Sequence, residues 1–270
     1  MILMDIGVNL LHRSFDRDRE SVVRGAEKAG VSPLVITGTD AQDSLRAAEW
    51  AWAWAAREKG KLYSTAGVHP HNAKTCGSQT LGLLREAAAA GPVIAIGECG
   101  LDYNRDFSPR DVQREWFEKQ IALAAELGLP LFLHERDAFD DFYSLLKNAR
   151  GRIKDMAVHC FTGTEKELDA YLELGCYIGI TGWLCDERRG RHLEKLIRKI
   201  PSAQLMLETD APFLLPRSLE EKPRAGRNEP KYLPHIARAA ARFLGKEPEL
   251  LAEETFANSM RFFAPKFRDS

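Results

Sequence analysis

This sequence predicts an α/β chain folded as a (β/α)8 TIM barrel, on three observations. Short apolar segments alternate with longer amphipathic stretches from end to end, eight such segments can be counted, and chemically able residues recur where the segments finish. The strand candidates are ILMDI, PLVIT, LYSTAGV, VIAIG, LPLFLH, KDMAVH, CYIGI and QLMLET. Helical patterns lie near residues 17–29, 41–58, 79–90, 109–127, 137–148, 164–174, 187–199 and 232–244, and a last helix near 248–263 closes the chain. Eight βα units in 270 residues suit one barrel domain spanning 1–270. An open doubly wound sheet has the same periodicity, but it more often carries a glycine fingerprint after its first strand, and none stands here. The segment EWAWAWAA alternates like a strand, yet its alanines and Arg/Glu flanks suit a helix with Trp50 and Trp54 on one face. The long connection PFLLPRSLEEKPRAGRNEP after the last strand is of a length that tends to be functional.

Composition narrows the class. Hydrophobic residues at 44% and charged residues at 29% describe a globular chain, not a disordered or fibrous one. A formal charge of -1 means that any polyanion must be held by a local patch and metal instead of by the whole surface. The 5 cysteines are odd in number and lack C-x-x-C spacing, which reads as reduced thiols in a cytoplasmic protein. The start MILMDIGVNLL carries Asp5 and no preceding basic segment, so neither a signal peptide nor a membrane anchor is expected. No membrane or obligate protein partner is called for, and a monomer is expected.

The chemistry sits at the strand ends. Asp5 and Asn9, His69 and His71, Glu98, His134, His159 and Asp210 each follow or close a strand candidate, so four of the 7 histidines would meet at one rim. Imidazole and carboxylate gathered there are what a hydrolytic metal site needs, because a divalent ion lowers the pKa of bound water and polarises the electrophile. Each residue also has a duller reading. Glu98 could be a salt-bridge partner, although a carboxylate directly after VIAIG is costly without a metal or Arg. Asp210 could cap the turn before Pro212, and His134 and His159 could be hydrogen-bonded core histidines. His69 and His71, flanking Pro70, divide evenly between metal or phosphate contact and loop structure. The chain has no H-E-x-x-H helix, no phosphate-cradling G-x-x-x-x-G-K-[ST] loop and no G-x-S-x-G elbow.

The stretches DIGVNL, ITGT, TAGVHPH, AIGECGLDYNRDFSP, LFLHERDA, VHCFTGT, YIGITGW, ETDAPFLLPR and RNEP together resemble the TatD family of metal-dependent deoxyribonucleases, within the amidohydrolase-like barrels. They run from residue 5 to residue 230, and NSMRFF resembles the family's closing helix. The resemblance implies that Glu98, His134 and His159 are metal ligands and that Asp210 is a ligand or activates the attacking water. Asp210, Glu98 and His69 would be catalytic, with His69 facing the scissile phosphate, while His71, Asn9, Arg105 and Arg227 would bind substrate. It further implies a 3′-to-5′ exonuclease on single-stranded DNA and RNA and Mg2+ as the ion, with Mn2+ or Zn2+ as alternatives; DNA repair, oxidative-damage tolerance and nucleic-acid turnover are the candidate pathways. Tyr103, Phe161, Trp183 and Phe213 are candidates for base stacking, and Arg188, Arg217, Lys222 and Arg224 join Arg105 and Arg227 as sources of positive field.

Two departures from the family pattern stand out. Many members begin with H-x-H at the first strand, where this chain has Gly7, Val8 and Asn9, so two ligands of one metal position are missing. The DIGVNL form itself marks one branch of the family. At 134–136 the chain has HER where HCR is commoner, and Glu135 adds negative charge nearby. The rival readings are a metal-dependent hydrolase of a small-molecule or aminoacyl ester or amide, and a binding protein without turnover.

Overall fold

The computed structural model describes residues 1–58, 61–223 and 226–263. Eight strands, β1 (Leu3–Val8), β2 (Val31–Ile36), β3 (Leu62–Ala66), β4 (Val93–Asp102), β5 (Leu131–Arg136), β6 (Met156–Val158), β7 (Tyr177–Ile180) and β8 (Leu205–Leu207), form one sheet in sequence order. The pairings β1–β2, β3–β4, β4–β5, β5–β6 and β7–β8 are parallel. Beyond β8 the chain returns to β1 through a parallel Val8–Ala211 bridge, with Asn9 N–H donating to Ala211 O at 2.8 Å and Asp210 N–H to Gly7 O at 2.9 Å. This order and seam are those of the (β/α)8 barrel. β1, β3, β4, β6, β7 and β8 are buried along their whole length, as parallel strands covered on both faces must be.

The helices are α1 (Arg19–Lys28), α2 (Ala41–Ala55), α3 (Thr80–Ala89), α4 (Arg110–Leu127), α5 (Phe139–Ala149), α6 (Glu165–Glu173), α7 (Leu193–Leu196), α8 (Leu233–Leu244) and α9 (Pro248–Phe263). Their ends follow local chemistry. The Asp40 carboxylate accepts the Asp43 N–H at 2.8 Å to start α2, and Thr164 with Glu167 makes a reciprocal capping box on α6. Gly128 and Gly245, at φ 63° and 65°, end α4 and α8 in the left-handed conformation. Trp50 and Trp54 stack on α2 at 5.4 Å with Trp54 buried, which places both on one helix face as expected.

Chain contacts divide into two compact units. One comprises Met1–Ile36, Cys160–Thr162 and Ile178–Arg261; the other comprises Thr37–His159, Gly163–Tyr177 and the chain from Phe262. The second unit holds β3–β6 with α2–α6, and its core includes Phe117 stacked on Phe142 at 5.4 Å. The first holds β1, β2, β7 and β8, with α8 presenting Leu233, Ile236, Ala237 and Ala240 as its buried stripe.

Two sequence expectations need correction. A helix was expected over 187–199, but only α7 and a 3-10 turn at Ile197–Lys199 are helical. The Asp186 side chain takes the Arg188 N–H at 3.0 Å in competition with helix bonding, and a Cβ on Gly190 would lie 1.8 Å from Trp183 O, so the chain turns there. Glu98 was expected just after a strand ending at Gly97. Instead β4 continues to Asp102, with a register shift between Ile96 and Cys99 in its pairing to β5.

That extension depends on glycine. Gly100 pairs with His134 across β4 and β5 at φ 142°, and a Cβ there would fall 1.9 Å from His134 O. A Cβ on Gly97, at φ 145°, would likewise fall 2.1 Å from Phe132 O. We expect Gly100→Ala to lose about 3 kcal/mol or more of stability in urea unfolding, from overpacking and backbone strain. Gly128→Ala, whose Cβ would meet nothing within 4 Å, should lose only about 1 kcal/mol.

Candidate metal centre

Strand periodicity puts Glu98 and Asp102 on one face of β4 with the side-chain-free Gly100 between them, opposite His134 of β5. Glu98 is 5% exposed, and three imidazoles crowd its Oε1: His159 Nε2 at 2.8 Å, His134 Nδ1 at 3.0 Å and His69 Nε2 at 3.2 Å. One nitrogen each from His69 and His134 and one Glu98 oxygen all lie within 4.8 Å of one another. The rings pack as a cluster, with centroids 4.2 Å apart for His69–His71, 4.5 Å for His69–His134 and 5.9 Å for His134–His159. The sequence reading therefore brought together a real group in Glu98, His134, His159 and His69. Its strand-end rule was inexact: Glu98 and His134 lie inside their strands, while His159 directly follows β6.

Asp102 was missed. It is 1% exposed, and its Oδ2 lies 2.7 Å from His71 Nε2 and 3.4 Å from His134 Nε2. His71, expected to bind substrate, thus has its ring nitrogen on Asp102. The signal was present in GECGLD, since a residue four positions beyond Glu98 faces the same way in a strand, but ending the strand at Gly97 concealed it. Phe107 was also missed: it is 53% exposed and packs edge-on to His71 at 4.7 Å. Glu135 does not crowd the centre. Its carboxylate accepts the Ala138 N–H at 2.7 Å and the Tyr171 hydroxyl at 3.1 Å, as alternation from His134 dictates.

The hydrogen bonds sort the imidazoles. His69 Nδ1 accepts the His71 backbone N–H at 3.1 Å, so a neutral His69 carries its proton on Nε2 and donates to Glu98. Burial pushes the pKa of His69 down to about 4, which keeps the ring neutral. His134 is arranged differently. Burial lowers its pKa, but hydrogen bonds to Asp102 and Glu98 more than offset this and leave it raised. Burial likewise opposes the charge of Glu98, yet His159 and His69, with hydrogen bonds from His134 and His159, hold it well below the carboxylate range.

The donor set of imidazole nitrogen and carboxylate oxygen suits a divalent ion of the zinc, manganese or iron type, and magnesium where waters complete the sphere. The Glu98 oxygen with His134 Nδ1 and His159 Nε2 beside it is a donor group that fits such an ion, whereas His69, with its proton on Nε2, faces it as a hydrogen-bond donor.

In the other unit, Asp210 is half-buried at φ 53° and its Oδ1 accepts Asn9 Nδ2 at 2.9 Å. Asp5, fully buried, accepts the Thr209 N–H at 2.9 Å and the Thr209 hydroxyl, and burial pushes its pKa up to about 7. Arg227 grips Asp18 at 2.9 and 2.7 Å and Glu229 at 2.8 Å, so its charge is already matched. Arg217 lies near Glu187 at 3.5 Å and Arg188 near Asp186 at 3.4 Å. The Arg105 and Lys222 side chains are exposed, and Arg224 lies outside the described residues. Of the aromatic candidates, Phe161 is buried, Trp183 is half-buried, Tyr103 donates to Asp141 at 2.6 Å, and Phe213 is exposed beside His12. No described helix is long and apolar enough to cross a membrane.

A cation bound at His134 must displace the proton that this ring holds above its ordinary pKa. Divalent affinity should therefore rise as pH rises through the raised pKa of His134 and level off above it, with proton release on binding. Calorimetry in buffers of different ionisation enthalpy checks this; affinity that falls as pH rises would refute it.

Comparison with known proteins gives a consistent result. A family model described as TatD related DNase matches residues 4–264. A protein named 3′-5′ ssDNA/RNA exonuclease TatD from Rahnella sp. is 50% identical over 262 residues, covering 97% of this chain and 98% of its own length. The chain superposes on a hydrolase TatD family protein from Entamoeba histolytica with TM-score 0.88 at 28% identity, covering 98% of this chain and 99% of the other. A TatD homologue from Escherichia coli gives TM-score 0.86 at 25% identity, covering 97% and 98%.

Proposed function

The chain belongs to the TatD related DNases, and from that premise we propose that it is a divalent-metal-dependent 3′-to-5′ exonuclease hydrolysing phosphodiester bonds of single-stranded DNA and RNA. The observation that carries the reading is 50% identity to a relative so named across 97% of this chain. Mg2+ is the expected ion, with Mn2+ or Zn2+ as alternatives. We take residues 1–270 to act as one domain, a cytoplasmic monomer with a role in DNA repair.

Glu98, His134 and His159 would hold the metal. A divalent ion bound there would supply Lewis acidity towards a phosphate oxygen and would make water a stronger nucleophile. Asp210, oriented by the Asn9 amide, accepts the proton of the attacking water or joins the ligands. His69 carries its proton on Nε2 and is thereby a hydrogen-bond donor suited to a phosphate oxygen, which supports its catalytic role. With Gly7 and Asn9 where many relatives carry histidine, a second ion would bind only when substrate oxygens complete its sphere. His71, Asn9, Arg105 and Arg227 remain the substrate-binding set, with Arg227 acting while paired to Asp18 and Glu229.

A 5′-labelled single strand incubated with Mg2+ or Mn2+ should shorten progressively from its 3′ end and release free nucleotides. Glu98→Ala should abolish this, and Asp210→Asn should slow it by about 10²- to 10⁴-fold. A strand left intact by wild type, or cut at equal rate by Glu98→Ala, would sink the reading; ester or amide cleavage without nucleotide release would favour the small-molecule hydrolase instead.

The exposed Phe107 offers a base a stacking surface beside His71. Phe107→Ala should weaken single-strand binding by about 1–3 kcal/mol, read as a higher KM. Turnover of bis(p-nitrophenyl) phosphate, which has no base, should not change.

A further inference from the structure

We propose that Asp102 is a positioning residue that selects which nitrogen of His134 faces the metal, and that it ties His71 into the same frame. The inference rests on the metal-centre reading above. Asp102 closes β4, and its four carboxylate contacts are all to donors. Oδ1 accepts the backbone N–H groups of Asn104 at 3.0 Å and Arg105 at 2.8 Å, while Oδ2 faces His71 Nε2 at 2.7 Å and His134 Nε2 at 3.4 Å. An ionised carboxylate can only accept, so both rings must present Nε2–H to it. A neutral imidazole with its proton on Nε2 has its lone pair on Nδ1. In His134 that nitrogen is the one 3.0 Å from Glu98 Oε1, to which it donates in the metal-free protein; a cation bound beside Glu98 takes the place of that proton while Nε2–H stays on Asp102. A carboxylate behind a ligand histidine fixes both the tautomer and the ring plane.

Asp102 is itself held from behind. Gln113 of α4, 1% exposed, accepts the Asp102 N–H at 2.9 Å and donates to Asp102 O at 3.1 Å and Ser108 O at 2.8 Å. The frame thus passes from a buried helix face through one strand residue to two imidazoles. His71 lends its backbone N–H to His69 Nδ1 at 3.1 Å, so the same frame reaches the ring assigned as donor. Ligand and donor histidines, chemically identical in the unfolded chain, are distinguished by what stands behind each.

Asp102→Asn keeps the size and still offers an oxygen to the backbone donors, but its amide N–H groups cannot accept from Nε2–H. His134 would then turn or move its proton to Nδ1, against the metal. Two measurements test this. The first is Mn2+ affinity by calorimetry for wild type, Asp102→Asn and Glu135→Gln, the last removing a half-buried carboxylate whose partners are Ala138 and Tyr171. A loss of about 10- to 100-fold confined to Asp102→Asn is expected. The second is the ¹⁵N-histidine spectrum of the Zn2+-loaded protein, which shows which ring nitrogen binds metal and which carries hydrogen. Wild-type His134 should bind through Nδ1 with hydrogen on Nε2, and Asp102→Asn should lose that single arrangement. A wild-type ring bound through Nε2, or a folded Asp102→Asn with unchanged arrangement and affinity, overturns the proposal. If Asp102→Asn does not fold, the wild-type ring spectrum decides. If wild type takes up no Mn2+, the metal-centre reading falls, and the proposal that Asp102 serves a metal falls with it, whereas a failure confined to Asp102→Asn leaves that reading standing.

Discussion

A carboxylate sealed from water cannot remain charged without nearby positive charge or donors, and Glu98 is such a group at 5% exposure. Everything around it is arranged to supply that compensation. Three imidazole nitrogens lie within 3.2 Å of one oxygen, and they reach it from β5, from the end of β6 and from the turn after β3. Removing the carboxylate would leave those rings crowded without a common partner, and removing the rings would leave a buried charge. The centre is therefore one electrostatic unit, and a divalent cation placed there takes over the balance that protons provide in its absence.

Holding that unit together falls to α4. Gln113 and Gln120 stand seven residues apart, two helical turns, so both project from the same buried face. Gln113 clamps the end of β4 at Asp102, and Gln120 does the same beyond β3, accepting the Val68 N–H at 2.7 Å and donating to Val68 O at 3.1 Å. Each amide satisfies one backbone donor and one acceptor that would otherwise be orphaned where a strand stops. The consequence is local. Val68 precedes His69 and Asp102 closes the strand that carries Glu98, so both segments bearing the polar cluster are pinned by one helix.

The alternation of apolar and amphipathic segments was enough to locate all eight strands, because parallel strands buried on both faces must be apolar and short. Recurrence of imidazole and carboxylate near their ends was enough to find Glu98, His134, His159 and His69. What periodicity could not show was where β4 stops. Its run ECGLD contains two acids, a thiol and a glycine, which look like a loop in composition; the strand persists because Gly97 and Gly100 permit an approach to β5 that no other residue would. Asp102 was hidden by that misreading. The opposite error at 187–199 has the same origin, for Gly190 and Asp186 stop a helix that the surrounding Leu, Glu and Arg would otherwise support. Glu135 looked chemically relevant by proximity in sequence, and strand alternation sends it elsewhere.

The residue after the first strand serves a neighbour distant in sequence. Asn9 offers an amide whose N–H group donates to Asp210 Oδ1 at 2.9 Å. A histidine there would present a lone pair to a cation, whereas the amide nitrogen has none to give and can only donate. With one oxygen of Asp210 oriented in this way, and its backbone fixed to Gly7 O at 2.9 Å, the carboxylate direction is set by the protein and not by a metal. A general base needs that kind of fixed direction before its proton arrives.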